Sequence, residues 1–129
     1  MMTKRLIAPA GGPAPVGPYS PGVAANGFLF VSGQIPLNPR TGELVQDSFE
    51  HQARQTLENL KSVLEAAGTT LEGVVKVTIF LADLKDFDEL NRIYTEYFAE
   101  SRPARSTVQA ARLPKDVDVE IEAIALLPD

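Results

Sequence analysis

The chain has 129 residues, 44% hydrophobic and 22% charged, with no cysteine, no tryptophan, one histidine and a net charge of −5. These figures exclude a disulfide framework, thiolate chemistry and a cysteine-ligated or histidine-rich metal site. They also argue against a nucleic-acid backbone as partner, which would call for clustered Lys and Arg.

At this length a single domain, residues 1–129, buries about two thirds of its extended surface. The N-terminus has a basic start, Lys4-Arg5, with no long apolar stretch behind it. Continuous apolar runs such as Phe28–Val31 fall far short of the ~20 residues of a membrane span. No membrane partner and a cytoplasmic location are expected.

Ala8–Pro21 is rich in Pro, Gly and Ala, which excludes a helix and allows at most an interrupted strand. Val23–Ser32 reads as a hairpin, because Asn26-Gly27 supplies the positive φ values of a two-residue primed turn. Phe28–Val31 is apolar at every position, which predicts a strand covered on both faces. Pro36–Gly42 is a loop. A helix follows, with Asp47 as cap, Glu50 reaching back and Phe49, Ala53, Leu57, Leu60, Leu64 and Ala67 as its apolar stripe. Arg54–Glu58 and Lys61–Glu65 are spaced to pair, and Gly68 ends the helix.

Val74–Leu81 is the next strand, with Val75, Val77, Ile79 and Leu81 on one face. A second helix starts at Asp86, with a stripe of Phe87, Leu90, Tyr94, Tyr97 and Phe98, and Pro103 forbids its continuation. Arg105–Ala110 is a short strand with Arg105, Thr107 and Gln109 on one face. In Val117–Leu126, Val117, Val119, Ile121, Ala123 and Ala125 alternate with Asp118, Glu120, Glu122, Ile124 and Leu126. This order implies an α+β fold, a mixed sheet with two helices packed on one face. Ile124 and Leu126 then need a cover on the other face, and a neighbouring subunit is the expected one.

The usual catalytic constellations are absent. His51, the only imidazole, lies within the first helix without a Ser–His–Asp arrangement and reads as a partly exposed helix residue. Gly11-Gly12 lacks the context of a phosphate loop. Asp83, Asp86 and Asp88 could ligate a metal but fit helix capping better. Nothing calls for a cofactor or a metal. Two candidates remain. Arg105 emerges from backbone stiffened by Pro103 and suits a bidentate grip on a carboxylate; a surface ion pair is the plainer reading. Glu120 could hold and polarise a water; membership of a solvated acidic face, with Asp118 and Glu122, is the plainer reading.

Five segments in order, Gly17-Pro18-Tyr19-Ser20, Val31-Ser32-Gly33-Gln34-Ile35-Pro36, Pro103-Ala104-Arg105-Ser106, Leu113-Pro114-Lys115-Asp116-Val117 and Val119-Glu120-Ile121-Glu122-Ala123-Ile124-Ala125, resemble the Rid family, the reactive intermediate deaminases also called RidA/YjgF, and its RidA branch. The resemblance implies a chorismate-mutase-like fold and a homotrimer with clefts between subunits. It implies hydrolysis of 2-enamine and 2-imine acids, such as 2-aminoacrylate and 2-iminobutanoate, to 2-keto acids and ammonia. By motif, Arg105 would grip the carboxylate and Glu120 would orient water. Ser32 and Gly33 would line the pocket, Tyr19 would close it, and Asn91 would face it. Thr107 stands where many members carry Cys, its backbone still able to meet a carboxylate. Arg102 stands where members often have an apolar or aromatic residue. The competing readings are a non-catalytic binder or sensor of 2-keto acids, a ribonuclease or translation inhibitor, and a chaperone-like role. The net charge disfavours the RNA-directed one.

Overall fold

A computed structural model of the chain describes residues 2–12, 15 and 17–129. Its elements are β1 (Arg5–Ile7), β2 (Gly22–Ala25), β3 (Phe28–Gln34), α1 (Phe49–Ala66), β4 (Val74–Leu81), α2 (Phe87–Phe98), β5 (Ala104–Gln109) and β6 (Val119–Leu126). Short 3₁₀ turns at Leu71–Gly73, Leu84–Asp86 and Pro114–Asp116 connect them. One sheet runs in the order β1-β2-β3-β6-β4-β5. Only β4 and β5 pair in parallel, the two strands joined through α2, as a parallel pair requires a crossover. This is the α+β fold expected, a mixed sheet with both helices packed on one face.

The β2–β3 turn forms at Asn26 (φ 51°) and Gly27 (φ 82°), as the dipeptide dictates. α1 ends as Gly68 requires. Gly68 adopts φ 89°, its N–H bonds to the Glu65 carbonyl, and the Thr69 N–H bonds to the Leu64 carbonyl. Leu57, Leu60 and Leu64 of α1 and Leu90 and Ile93 of α2 are sealed against Leu29, Val77, Ile79, Ile121 and Ala125 of the sheet. Burial of each Leu or Ile contributes about 1.5–3 kcal/mol.

Several local expectations are corrected. Ser48, not Asp47, caps α1, its Oγ accepting from the His51 N–H at 3.0 Å, while Asp47 pairs with the exposed His51 ring. Arg54 turns to Glu50 and Glu96, and Glu58 instead accepts from the Tyr97 hydroxyl. Asp83 caps the 3₁₀ turn before α2, and Asp86 makes no capping bond. β1 was not foreseen; three residues are too few for a periodic signal. Positions 13, 14 and 16 of Ala8–Pro21 lie outside the described residues, and the rest of that stretch forms no strand.

In β4 the register shifts between Val74 and Lys76. Val74 takes the core position while Val75, expected inside, is 38% exposed. β3 is covered on one face only within the single chain. Leu29 and Val31 are buried, whereas Phe28 and Phe30 are 38% and 47% exposed. With Val108 and Leu126, also exposed, they belong to the sheet face that carries no helix.

Candidate functional site

Arg105 lies on β5 opposite Val77, whose side chain is wholly buried under the helices. Register therefore sends Arg105 toward α2, and the edge position of β5 keeps it half-buried rather than sealed. There its Nη2 donates to Asn91 Oδ1 at 2.7 Å. Its guanidinium carbon lies 4.7 Å from the Tyr94 ring centroid and 5.6 Å from that of Phe87. Phe87, Asn91 and Tyr94 follow the i, i+4, i+7 rule and present one helix face to the arginine. Among the described residues Arg105 makes no ion pair.

Thr107, two residues on along the same strand face, has a buried hydroxyl without a hydrogen-bond partner, and so has Tyr94. Burial pushes the Tyr94 phenol up to about 12 against the opposing pull of Arg105, so it stays protonated at neutral pH. This corner of the molecule offers a held cation and buried donors without an acid to receive them.

Glu120 lies on β6 opposite Phe80. Phe80 is three residues from Val77 along an unbroken stretch of β4, so Glu120 points to the face opposite Arg105. The carboxylate crosses the backbone of Gly33: a Cβ there would meet Glu120 Cδ at 2.8 Å and Cγ at 3.0 Å, and would run into Oε2. Gly33 sits where the β3–β6 register shifts between Val31 and Gln34, and that irregularity makes room for the acid. Burial, followed by the neighbouring charge of Glu122, raises the Glu120 carboxyl above its ordinary range.

Next to it, the Ser32 hydroxyl donates to the Ser20 carbonyl at 2.6 Å and the Ser32 N–H donates to the Pro21 carbonyl. Ser32 thus ties the Gly17–Pro21 segment, with the half-exposed Tyr19, to β3. Tyr19 and Gly33 line a cavity of about 230 Å³ between β3, the N-terminal segment and α1. The start of β6 is pinned from α1 by Gln52, which donates to Asp118 Oδ2 and accepts from the Asp118 N–H, both at 2.9 Å.

The candidate residues therefore fall into two groups. Arg105, Asn91 and Thr107 gather beside α2, and Glu120, Gly33, Ser32 and Tyr19 gather near β3. One chain does not bring the groups together. The helical stripe assigns Phe87 and Tyr94 to the core and gives Gln52 no role. An asparagine interrupting the stripe, at position 91, was the available signal for the first two. Nothing in the pattern marks Gln52.

A model of the family described as endoribonuclease L-PSP matches residues 10–127. The 2-iminobutanoate/2-iminopropanoate deaminase of Escherichia coli is 49% identical over 125 residues, 95% of this chain and 97% of that protein. The chain belongs to the Rid family. This Rid chain is also 53% identical over 122 residues to a RutC family protein of Pyrococcus horikoshii, covering 95% of this chain and 97% of that one. The Yersinia pestis protein YyfA, of the conserved Rid protein family, has a solved structure that superposes with a TM-score of 0.93 at 46% identity, covering 97% of this chain and all of that one. Among the described residues no helix is long and apolar enough to cross a membrane.

Proposed function

We propose that this protein, of the RidA branch, is a cytoplasmic, cofactor-independent hydrolytic deaminase of reactive 2-enamine and 2-imine acids, such as 2-aminoacrylate and 2-iminobutanoate. It works as a homotrimer of chorismate-mutase-like subunits. Each cleft joins the Arg105 group of one subunit to the Glu120 group of the next. The observation that carries this reading is Arg105, held by Asn91 and two aromatic rings with no acid among the described residues to neutralise it. A half-buried guanidinium so arranged suits an incoming carboxylate, and its rigid fork sets the orientation of whatever that carboxylate carries. The uncovered apolar sheet face with Phe28, Phe30, Val108 and Leu126 supports the assembly, since solvent exposure of such a surface is unfavourable.

In the cleft, the substrate carboxylate binds Arg105. The Thr107 backbone and Asn91 lie beside it, Ser32 and Gly33 line the opposite wall, and Tyr19 closes the entrance. An enamine first gains a proton at its terminal carbon and loses one from nitrogen, becoming the imine. Glu120 then accepts a proton from water as the water oxygen bonds to C2. The electron pair of the C=N bond moves to nitrogen, which is protonated. The carbinolamine nitrogen then takes a further proton, and as the hydroxyl gives up its proton and forms the C=O bond the C–N bond breaks, releasing ammonia and the 2-keto acid. A carboxyl raised above its ordinary range is a stronger base than an exposed glutamate, and general-base help of this kind is typically worth ~10²–10⁴. The net charge of −5 weighs against RNA as substrate despite the family's description.

The test is to generate 2-iminobutanoate with an amino-acid oxidase and follow the semicarbazide-trappable imine. Faster loss of that species on adding the protein supports the reading. An unchanged rate overturns it.

A further inference from the structure

α2 stops because Pro103 keeps the residue before it out of the right-handed helical region. Arg102 takes φ 46°, its N–H bonds to the Phe98 carbonyl, and its Nε reaches back to the Ala99 carbonyl at 3.2 Å. That bond holds the Arg102 side chain along the end of α2, where a groove of about 320 Å³ opens. Tyr94, Phe98, Ala99 and Pro103 give the groove an apolar lining, and both Arg102 and Arg105 line it. Their Cα atoms, three residues apart in the chain, are at most about 10–11 Å from each other. Neither guanidinium makes an ion pair among the described residues.

Two guanidiniums without an ion pair among the described residues line one small groove, and a ligand with two anionic ends can meet both. An apolar lining suits the short hydrocarbon link between such ends. We propose that Arg102 is a specificity-determining residue that receives a second, side-chain carboxylate. The preferred substrates are then 2-imino dicarboxylic acids, with the carboxylate next to the imine on Arg105 and the distal one on Arg102. The inference rests on the deaminase reading for turnover, but its binding half does not. The chemistry at C2 is unchanged: water adds, ammonia leaves, and the distal carboxylate takes no part in bond making. A reaction that oxidises an acidic amino acid at its α-carbon would supply this substrate.

The experiment compares the wild type with Arg102→Asn, which removes the charge while tolerating the left-handed backbone, and with Arg102→Glu, which reverses it. Imines made in situ from aspartate and from 2-aminobutanoate are the paired substrates. Oxaloacetate and 2-oxobutanoate are the paired ligands for calorimetry. The ratio of kcat/KM for the dicarboxylic over the monocarboxylic imine falls roughly 10- to 100-fold in Arg102→Asn and further in Arg102→Glu, as loss of one charge-assisted contact implies. The ratio of binding constants for the two keto acids falls in parallel. Ratios that are the same in all three proteins overturn the inference. If no imine is hydrolysed but the binding ratio still depends on Arg102, the subsite stands and the deaminase reading fails. If the monocarboxylic imine is turned over and neither ratio moves, the deaminase stands and the subsite fails.

Discussion

The two halves of the candidate site are built on different principles. The Arg105 half is held by side chains: the Asn91 amide oxygen, which accepts a hydrogen bond from the guanidinium, and the faces of Tyr94 and Phe87, all from one helix. The Glu120 half is held by backbone: a glycine under the carboxylate, a register shift in β3, and Gln52 pinning the strand two residues upstream. The first presents a cation with no ion-pair partner among the described residues, the second an acid whose charge is disfavoured by burial. A binding half needs a fixed charge and a precise fork. A catalytic half needs a base lifted toward neutral pH. On the proposed reading, this contrast is what lets the Arg105 group of one subunit complement the Glu120 group of the next.

The sharpest way to break the comparison is at the cation. Arg105→Ala is expected to lower kcat/KM for 2-iminobutanoate by about 10³-fold or more, since a bidentate charged contact is lost. Gel filtration should show the same oligomer as the wild type. Glu120→Gln is expected to lower kcat by ~10²–10³ while leaving 2-oxobutanoate binding, read by calorimetry, nearly intact.

The same variant tests the buried charge. The Glu120 carboxyl is raised in the folded chain, so its contribution to stability is fully present below the ordinary glutamate range and is lost as pH rises through the raised value. Glu120→Gln should therefore melt higher than wild type at pH 7, and the gap should close as pH falls toward 4. On the deaminase reading, the acid limb of kcat/KM should lie above the ordinary glutamate range.

Gly33→Ala sharpens the backbone half. The new methyl meets the flexible end of Glu120, so the carboxylate shifts and the fold survives. Activity should drop about 10- to 100-fold with unchanged far-ultraviolet circular dichroism. The smallest expected effect is at the unpartnered hydroxyls. Tyr94→Phe should leave thermal stability unchanged or slightly raised, because no hydrogen bond is lost in the free protein. Its activity should fall by less than about tenfold.

Sheet and helices were legible in the sequence because their periodicities are long and backed by punctuation. Asn26-Gly27, Gly68 and Pro103 each forced the local backbone found there. What was hidden was non-local or irregular. The bulge at Val75 reverses a face assignment that strict alternation gives, and β1 is shorter than any period. The site residues were nameable only through motif resemblance, since Arg105 and Glu120 each have a plainer reading as surface charges. Their division between opposite sheet faces could not be read from spacing at all. It follows from the β4 register, which only the paired strands fix.

The central claim is that each cleft takes its arginine from one subunit and its glutamate from the next. Arg105→Ala and Glu120→Gln proteins, each nearly inactive, can be unfolded together and refolded as a mixture. Random assembly makes about three quarters of the trimers mixed, and each of these holds one cleft in three with both residues intact. The account predicts recovery of about a quarter of wild-type deaminase activity. Activity no higher than the mean of the two separate variants would contradict it.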